Sequence, residues 1–136
     1  MTTQFTRLNS DWNADPNAPD ERVSVNGSTL VLEFDLAGFF HEPWRGRLVF
    51  EGCWRYRLGR PNDEGWYLGQ CRFSRIAPEW GEFYEVKGDL LEASVKDWVI
   101  LSAPSSHPTR HFLFYLRDST FECDAAAYQL NAPNVV

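Results

Sequence analysis

The sequence is short of the features that staple a chain, anchor it or mark it as an enzyme at sight. Its three cysteines, Cys53, Cys71 and Cys123, are odd in number and lack the paired spacing of a disulfide framework or a metal knuckle. No run approaches the roughly 18 apolar residues that suggest a membrane helix. Met1 to Asn17 is polar, without the apolar centre of a signal peptide. These absences lead us to expect a reducing, cytoplasmic setting in which the cysteines act as small hydrophobes. There is no internal repeat and no low-complexity segment. Nor do strands alternate with long helical patterns, which disfavours a nucleotide-binding α/β fold.

Catalytic signatures are equally scarce. No Gly-x-Ser-x-Gly elbow is present. The stretch from Gly59 to Gly65 lacks the Gly-Lys-Ser/Thr ending of a phosphate-cradling loop. His107 and His111 stand four apart, but Pro108 between them argues against a shared helix face, and His41 is remote. No metal site and no cofactor is therefore expected. Clustered positive charge is missing too. The net charge is −6, which argues against binding nucleic acid or an anionic membrane and fits either a basic partner or simple solubility.

What is present suits one domain over residues 1–136, with a loop-rich segment over 1–21 and a frayed tail over 131–136. A chain of this length buries roughly 65–70% of its unfolded surface without needing a disulfide or metal. Ten Phe, five Tyr and six Trp are rings that favour pleated, half-buried surfaces. Period-two patterns recur. Leu30, Leu32, Phe34 and Leu36 alternate with Val31, Glu33 and Asp35, after Arg22 to Val25 and an Asn26-Gly27 pair suited to a type I′ turn. Gly46 to Leu58 reads as one strand, as do Trp66 to Ser74, Glu82 to Lys87, Asp97 to Leu101, His111 to Arg117 and, past a two-residue Asp118-Ser119 turn, Thr120 to Leu130. Leu90 to Val95 suits strand or one or two helical turns, and residues 75–81 a loop or single turn. The expectation is an all-β or β-dominated antiparallel domain, a sandwich or curled barrel-like sheet of seven to eight short strands.

The charge is uneven. Residues 46–60 carry Arg47, Arg55, Arg57 and Arg60 against Glu51, between acidic stretches on either side. Within a single strand these arginines would largely share one face. The acids Glu82 and Glu85 flank Phe83-Tyr84, and Asp63-Glu64 precede Trp66-Tyr67, an arrangement that invites comparison with sugar-cleaving pairs beside aromatic platforms. On a strand, however, Glu82 and Glu85 point to opposite faces. Rings of this kind more commonly build cores. The densest stretch, Cys53 to Tyr84, holds three Trp, three Tyr and two Phe among charges of both signs, the residue types enriched at binding hot spots.

The run Asn62-Asp63-Glu64-Gly65-Trp66-Tyr67-Leu68-Gly69-Gln70-Cys71-Arg72-Phe73, with Trp80-Gly81-Glu82-Phe83-Tyr84-Glu85, resembles small bacterial proteins of unknown function. The general build is similar to that of immunity proteins of polymorphic toxin systems, short acidic domains that bind and neutralise a toxin. The resemblance covers about a third of the chain and assigns no functional residues. What it implies is non-enzymatic protein binding, by an acidic, aromatic face docking on a basic partner. The candidate contacts, chosen from charge and ring content, are Asp63, Glu64, Trp66, Trp80, Glu82 and Glu85. Two alternatives stand beside it. A small-ligand or carbohydrate-binding β domain predicts a concave pocket. An enzyme with dispersed acids predicts a cleft carboxylate or histidine with a strongly shifted pKa.

Overall fold

A computed structural model describes residues 2–37, 45–59, 73, 76–88, 98–103, 109–117 and 119–131. Among the described residues, ten strands form two antiparallel sheets packed as a sandwich, without barrel closure. In chain order they are β1 (Gln4–Arg7), β2 (Arg22–Asn26), β3 (Thr29–Asp35), β4 (Arg45–Glu51), β5 (Arg55–Gly59), β6 (Phe83–Lys87), β7 (Val99–Ile100), β8 (Arg110–Tyr115), β9 (Thr120–Ala125) and β10 (Ala127–Asn131). One sheet runs β1-β6-β8-β9-β5-β7, the other β10-β4-β3-β2. No helix among the described residues is long and apolar enough to cross a membrane.

The alternating apolar residues do what their period requires. Leu30, Leu32, Phe34, Leu48 and Phe50 of the smaller sheet meet Phe83, Phe112, Phe114 and Phe121 of the larger one, all with no exposed surface. Rings cross the interface at 5.2 Å between Phe50 and Phe112 and 5.5 Å between Phe34 and Phe114, spacings that add specific edge and tilted contacts to the area buried. The loop-rich N-terminal stretch is tied in. β1 pairs with β6, Ala14 bridges Leu36, and Trp12 stacks on Phe34 at 5.7 Å. A second cluster, Phe73, Ala77, Tyr84, Val86, Leu113 and Tyr115, covers part of the opposite face of the six-stranded sheet.

Two long strands expected from the alternation are each bent into two. Gly46 to Leu58 divides into β4 and β5, and Thr120 to Leu130 into β9 and β10. β4 pairs with β10 in one sheet and β5 with β9 in the other, so one two-stranded ribbon turns a corner and belongs to both. At the corner Gly52 takes φ +65°, and a Cβ there would stand 3.0 Å from that of Ala126. A strand can switch sheets only by such a local break. The arginines are separated as a result. Arg47 lies exposed beside Glu33 on the smaller sheet, whereas Arg55 and Arg57 enter the larger one.

Both hairpin turns sit one residue from where the sequence placed them. Asn26 pairs with Thr29, so the central residues are Gly27 and Ser28, and only Gly27 (φ +64°) has positive φ. That is the demand of a type II′ turn, not of type I′. Likewise the Leu116 amide donates to the Ser119 carbonyl at 2.9 Å, closing the β8–β9 hairpin one position early. The predicted strand at Trp66 to Ser74 and the ambiguous Leu90 to Val95 fall largely or wholly outside the described residues. Residues 76–77 form a single turn, their amides donating to the Phe73 carbonyl at 3.0 and 2.7 Å.

Candidate functional site

Cross-strand register assembles a charged network on the face of the six-stranded sheet turned away from the smaller one. Arg55 lies opposite Asp124, Arg57 opposite Glu122, and His111 opposite Asp124. Residues directly opposed across antiparallel strands project to the same side, so all five side chains meet. His111 places Nδ1 2.8 Å from Asp124 Oδ1 and Nε2 2.8 Å from Glu122 Oε2. Arg55 Nε donates to Asp124 Oδ2 at 2.5 Å, and Arg57 Nη1 to Glu122 Oε1 at 3.4 Å. His111, Glu122 and Asp124 are all buried.

Two carboxylates on one buried imidazole decide its charge. Burial opposes the imidazolium, but the hydrogen bonds to Asp124 and Glu122, with their charges, outweigh it and push His111 up to about 9. Asp124 is lowered in return. Burial resists that shift, and the hydrogen bonds and charges of His111 and Arg55 overcome it. Both ring nitrogens of His111 are thus engaged by carboxylates. An imidazolium held this way has no lone pair to offer, which leaves it unable to act as a general base in this arrangement.

Beside the network opens a cleft of about 780 Å3, lined by Trp54, Arg55, Glu85 to Gly88, Thr109 to His111 and Asp124. Its second ionic clamp is Glu85, which accepts from Arg110 Nε at 3.0 Å and from Nη2 at 2.8 Å. That two-point bond holds the Glu85 carboxyl below the usual carboxylate range. Arg110 lies over Phe112 at 5.0 Å and Tyr128 at 5.4 Å, and Arg55 over Trp98 at 4.1 Å and Trp54 at 4.6 Å. The thiols of Cys53 and Cys123 touch in the core nearby. The bond between them lowers Cys53, while burial raises Cys123, so neither resembles an exposed reactive thiolate.

The acidic, aromatic face expected from the sequence is only partly in view. Asp63, Glu64 and Trp66 lie outside the described residues. Trp80 is half-buried, 4.7 Å from the Tyr115 ring, and borders a smaller cavity of about 200 Å3. Glu82 accepts from Asn9 Nδ2 at 2.7 Å and sits 3.9 Å from Arg7. Glu85 is buried in the cleft wall. Trp80 and Glu85 thus belong to different cavities, and of the three described candidates Glu85 alone joins the charged cleft. As the alternation predicts, Phe83 joins the inter-sheet core and Tyr84 the opposite cluster. Sequence reasoning weighed His111 only as a metal ligand and passed over Glu122 and Asp124, whose only local signal is two acids alternating with Phe121, Cys123 and Ala125. Among the described residues no group of three or more His, Cys, Asp or Glu is arranged to hold a metal. No known protein family, curated protein or solved structure matches the sequence.

Proposed function

We propose that the protein is a non-enzymatic binding domain that receives a small ligand in the cleft bordered by Trp54, Lys87, Thr109 and Arg110. One observation carries this reading: the charged walls are fixed before any ligand arrives. Arg110 is held at two points by Glu85, and Arg55 by Asp124 beneath two tryptophan rings. Polar groups already in place around a space of ligand size lower the ordering cost of binding. Binding suits this chemistry better than turnover, because both nitrogens of the cleft histidine are already engaged by carboxylates. The shifted pKa that an enzyme would show is present in His111, but the same contacts that shift it hold its proton.

A thermal-shift screen of sugars, nucleotides and carboxylic acids tests the reading. A hit should raise the melting temperature by mass action and move the amide NMR signals of Trp54, Gly88 and Thr109. Hits that perturb only distant residues would overturn it.

A second reading, toxin neutralisation by an immunity-type protein, is favoured by the edge strand β7. There Val99 and Ile100 keep 44% and 58% of their surface exposed in a protein of net charge −6, apolar area that an edge-docking partner could cover. Capture of one basic protein in stoichiometric amount, weakened by salt and by Ile100→Asp, supports it. Capture indifferent to both changes removes that support.

A further inference from the structure

We infer that the ligand is an anion, a small organic molecule whose carboxylate or phosphate group docks between Lys87 and Arg110. The inference rests on the cleft being the ligand site, as proposed above. Val86 pairs with His111, so the register carried one residue further sets Lys87 across from Arg110. Like charges directly opposed on neighbouring strands repel, and a single carboxylate, Glu85, serves both: it is hydrogen-bonded to Arg110 and meets the Lys87 charge only through space. Its carboxylate engages Nε and Nη2 of Arg110, which leaves Nη1 without a partner among the described residues. Lys87 is exposed and, among the described residues, has no ion pair. A bound anion between the two cations removes the repulsion and takes up donors that are already aimed.

The wider charge distribution agrees. At the end of the sheet that lines the cleft, Lys87 and Arg110 stand with Glu85 on the Phe112 side, and Arg55 and the His111 imidazolium with Asp124 on the other, so among the described lining residues each side carries one more cation than carboxylate. The chain as a whole is net −6. A positive recess in an acidic protein concentrates anions at one place and disfavours them elsewhere. Thr109 and Trp54 complete the described lining. At about 780 Å3 the cleft is of the size that holds an organic molecule rather than a bare ion. Glu85 is a positioning residue: it fixes the guanidinium plane so that the remaining Arg110 donors need no reordering.

NMR titration of the full chain with inorganic phosphate, benzoate and the neutral isostere benzamide tests this. The Arg110 side-chain Nε–Hε signal and the Gly88 and Thr109 amides are the reporters. Phosphate or benzoate should bind saturably at these reporters, with benzamide at least about tenfold weaker. Lys87→Glu, an exposed change that leaves the core alone, should raise the anion Kd about tenfold or more, and added salt should weaken binding. Glu85→Gln should broaden the Arg110 signal and weaken binding while the core amides stay in place. Phosphate binding without benzoate assigns a phosphate ligand; the converse assigns a carboxylate. Equal binding of benzoate and benzamide, unchanged in Lys87→Glu, overturns the anion inference and leaves the cleft as the site. No response at the reporters to any of the three, or to the hits of the wider screen, overturns both.

Discussion

The two faces of the six-stranded sheet are made from the same strands, and the middle of each is buried, yet their chemistry is opposite. Toward the smaller sheet, Phe83, Phe112, Phe114 and Phe121 interlock with Leu30, Leu32, Phe34, Leu48 and Phe50. On the other side, His111, Glu122 and Asp124 hold one another between Arg55 and Arg57, next to the apolar cluster of Tyr84, Leu113 and Tyr115. An apolar face gains with each buried area and degrades gradually as area is removed. An ionic face is conditional: every charge taken from water depends on its partner, so losing one member costs more than replacing the set. The first face sets the fold and, at its end, carries the Glu85–Arg110 clamp; the second fixes Arg55 and His111 beside the cleft.

The largest expected effect attacks that difference directly. His111→Ala leaves Glu122 and Asp124 facing each other without the cation and should cost about 3–5 kcal/mol. Replacing Arg55, Arg57, His111, Glu122 and Asp124 together by apolar residues of similar volume should cost less than His111→Ala alone. Urea unfolding of both variants checks the ordering, and the reverse ranking would erase the proposed contrast.

Acidity separates the faces next. His111 is raised from its ordinary 6.5 to about 9 in the folded chain. Its contribution is thus fully present below about pH 6.5, declines as pH rises, and is lost once pH passes about 9. Asp124 is lowered, so its contribution holds above the unfolded carboxylate range near pH 4 and vanishes as pH falls through the folded value. Stability should therefore be greatest between these limits. In His111→Gln the decline between pH 6.5 and 9 should disappear, while substitutions confined to the apolar face should leave it intact.

Smaller effects belong to the corner and the rim. Gly52→Ala forces a left-handed conformation on an alanine whose Cβ meets that of Ala126 at 3.0 Å, a cost of about 1–2 kcal/mol. Arg47→Ala removes an exposed pair to Glu33 at 3.4 Å and should change stability by under about 0.5 kcal/mol. Denaturant midpoints resolve both.

The inner face was readable from sequence, since period two alone selects Leu30, Leu32, Phe34, Phe112, Phe114, Phe121 and Cys123, and all are buried. Partners were harder. Moving a two-residue turn by one position shifts each cross-strand partner by two, which keeps every side chain on its face but changes whom it meets. Both hairpin turns show this slip. It explains why His111 could be placed on a strand but not beside Asp124 and Glu122. The alternation also survives the corner, with Leu48 and Phe50 before it and Tyr56 and Leu58 after it all turned to the core. Only the glycine at position 52 marks the passage between sheets. Arg55 and Asp124 are 69 residues apart, and nothing in their local spacing links them.

The bent ribbon has a consequence in time as well as in space. Residues 45–59 complete their pairing only with residues 120–131, so neither sheet closes until nearly the whole chain is available. Closing so long a loop comes before most of the reward, which places folding in the slow, millisecond-to-second range of non-local β topologies. During synthesis β3 and β4 can pair early, yet they must wait with an open apolar face for the final two strands. A chain cut before residue 120 should therefore be an aggregating fragment and not a smaller working domain.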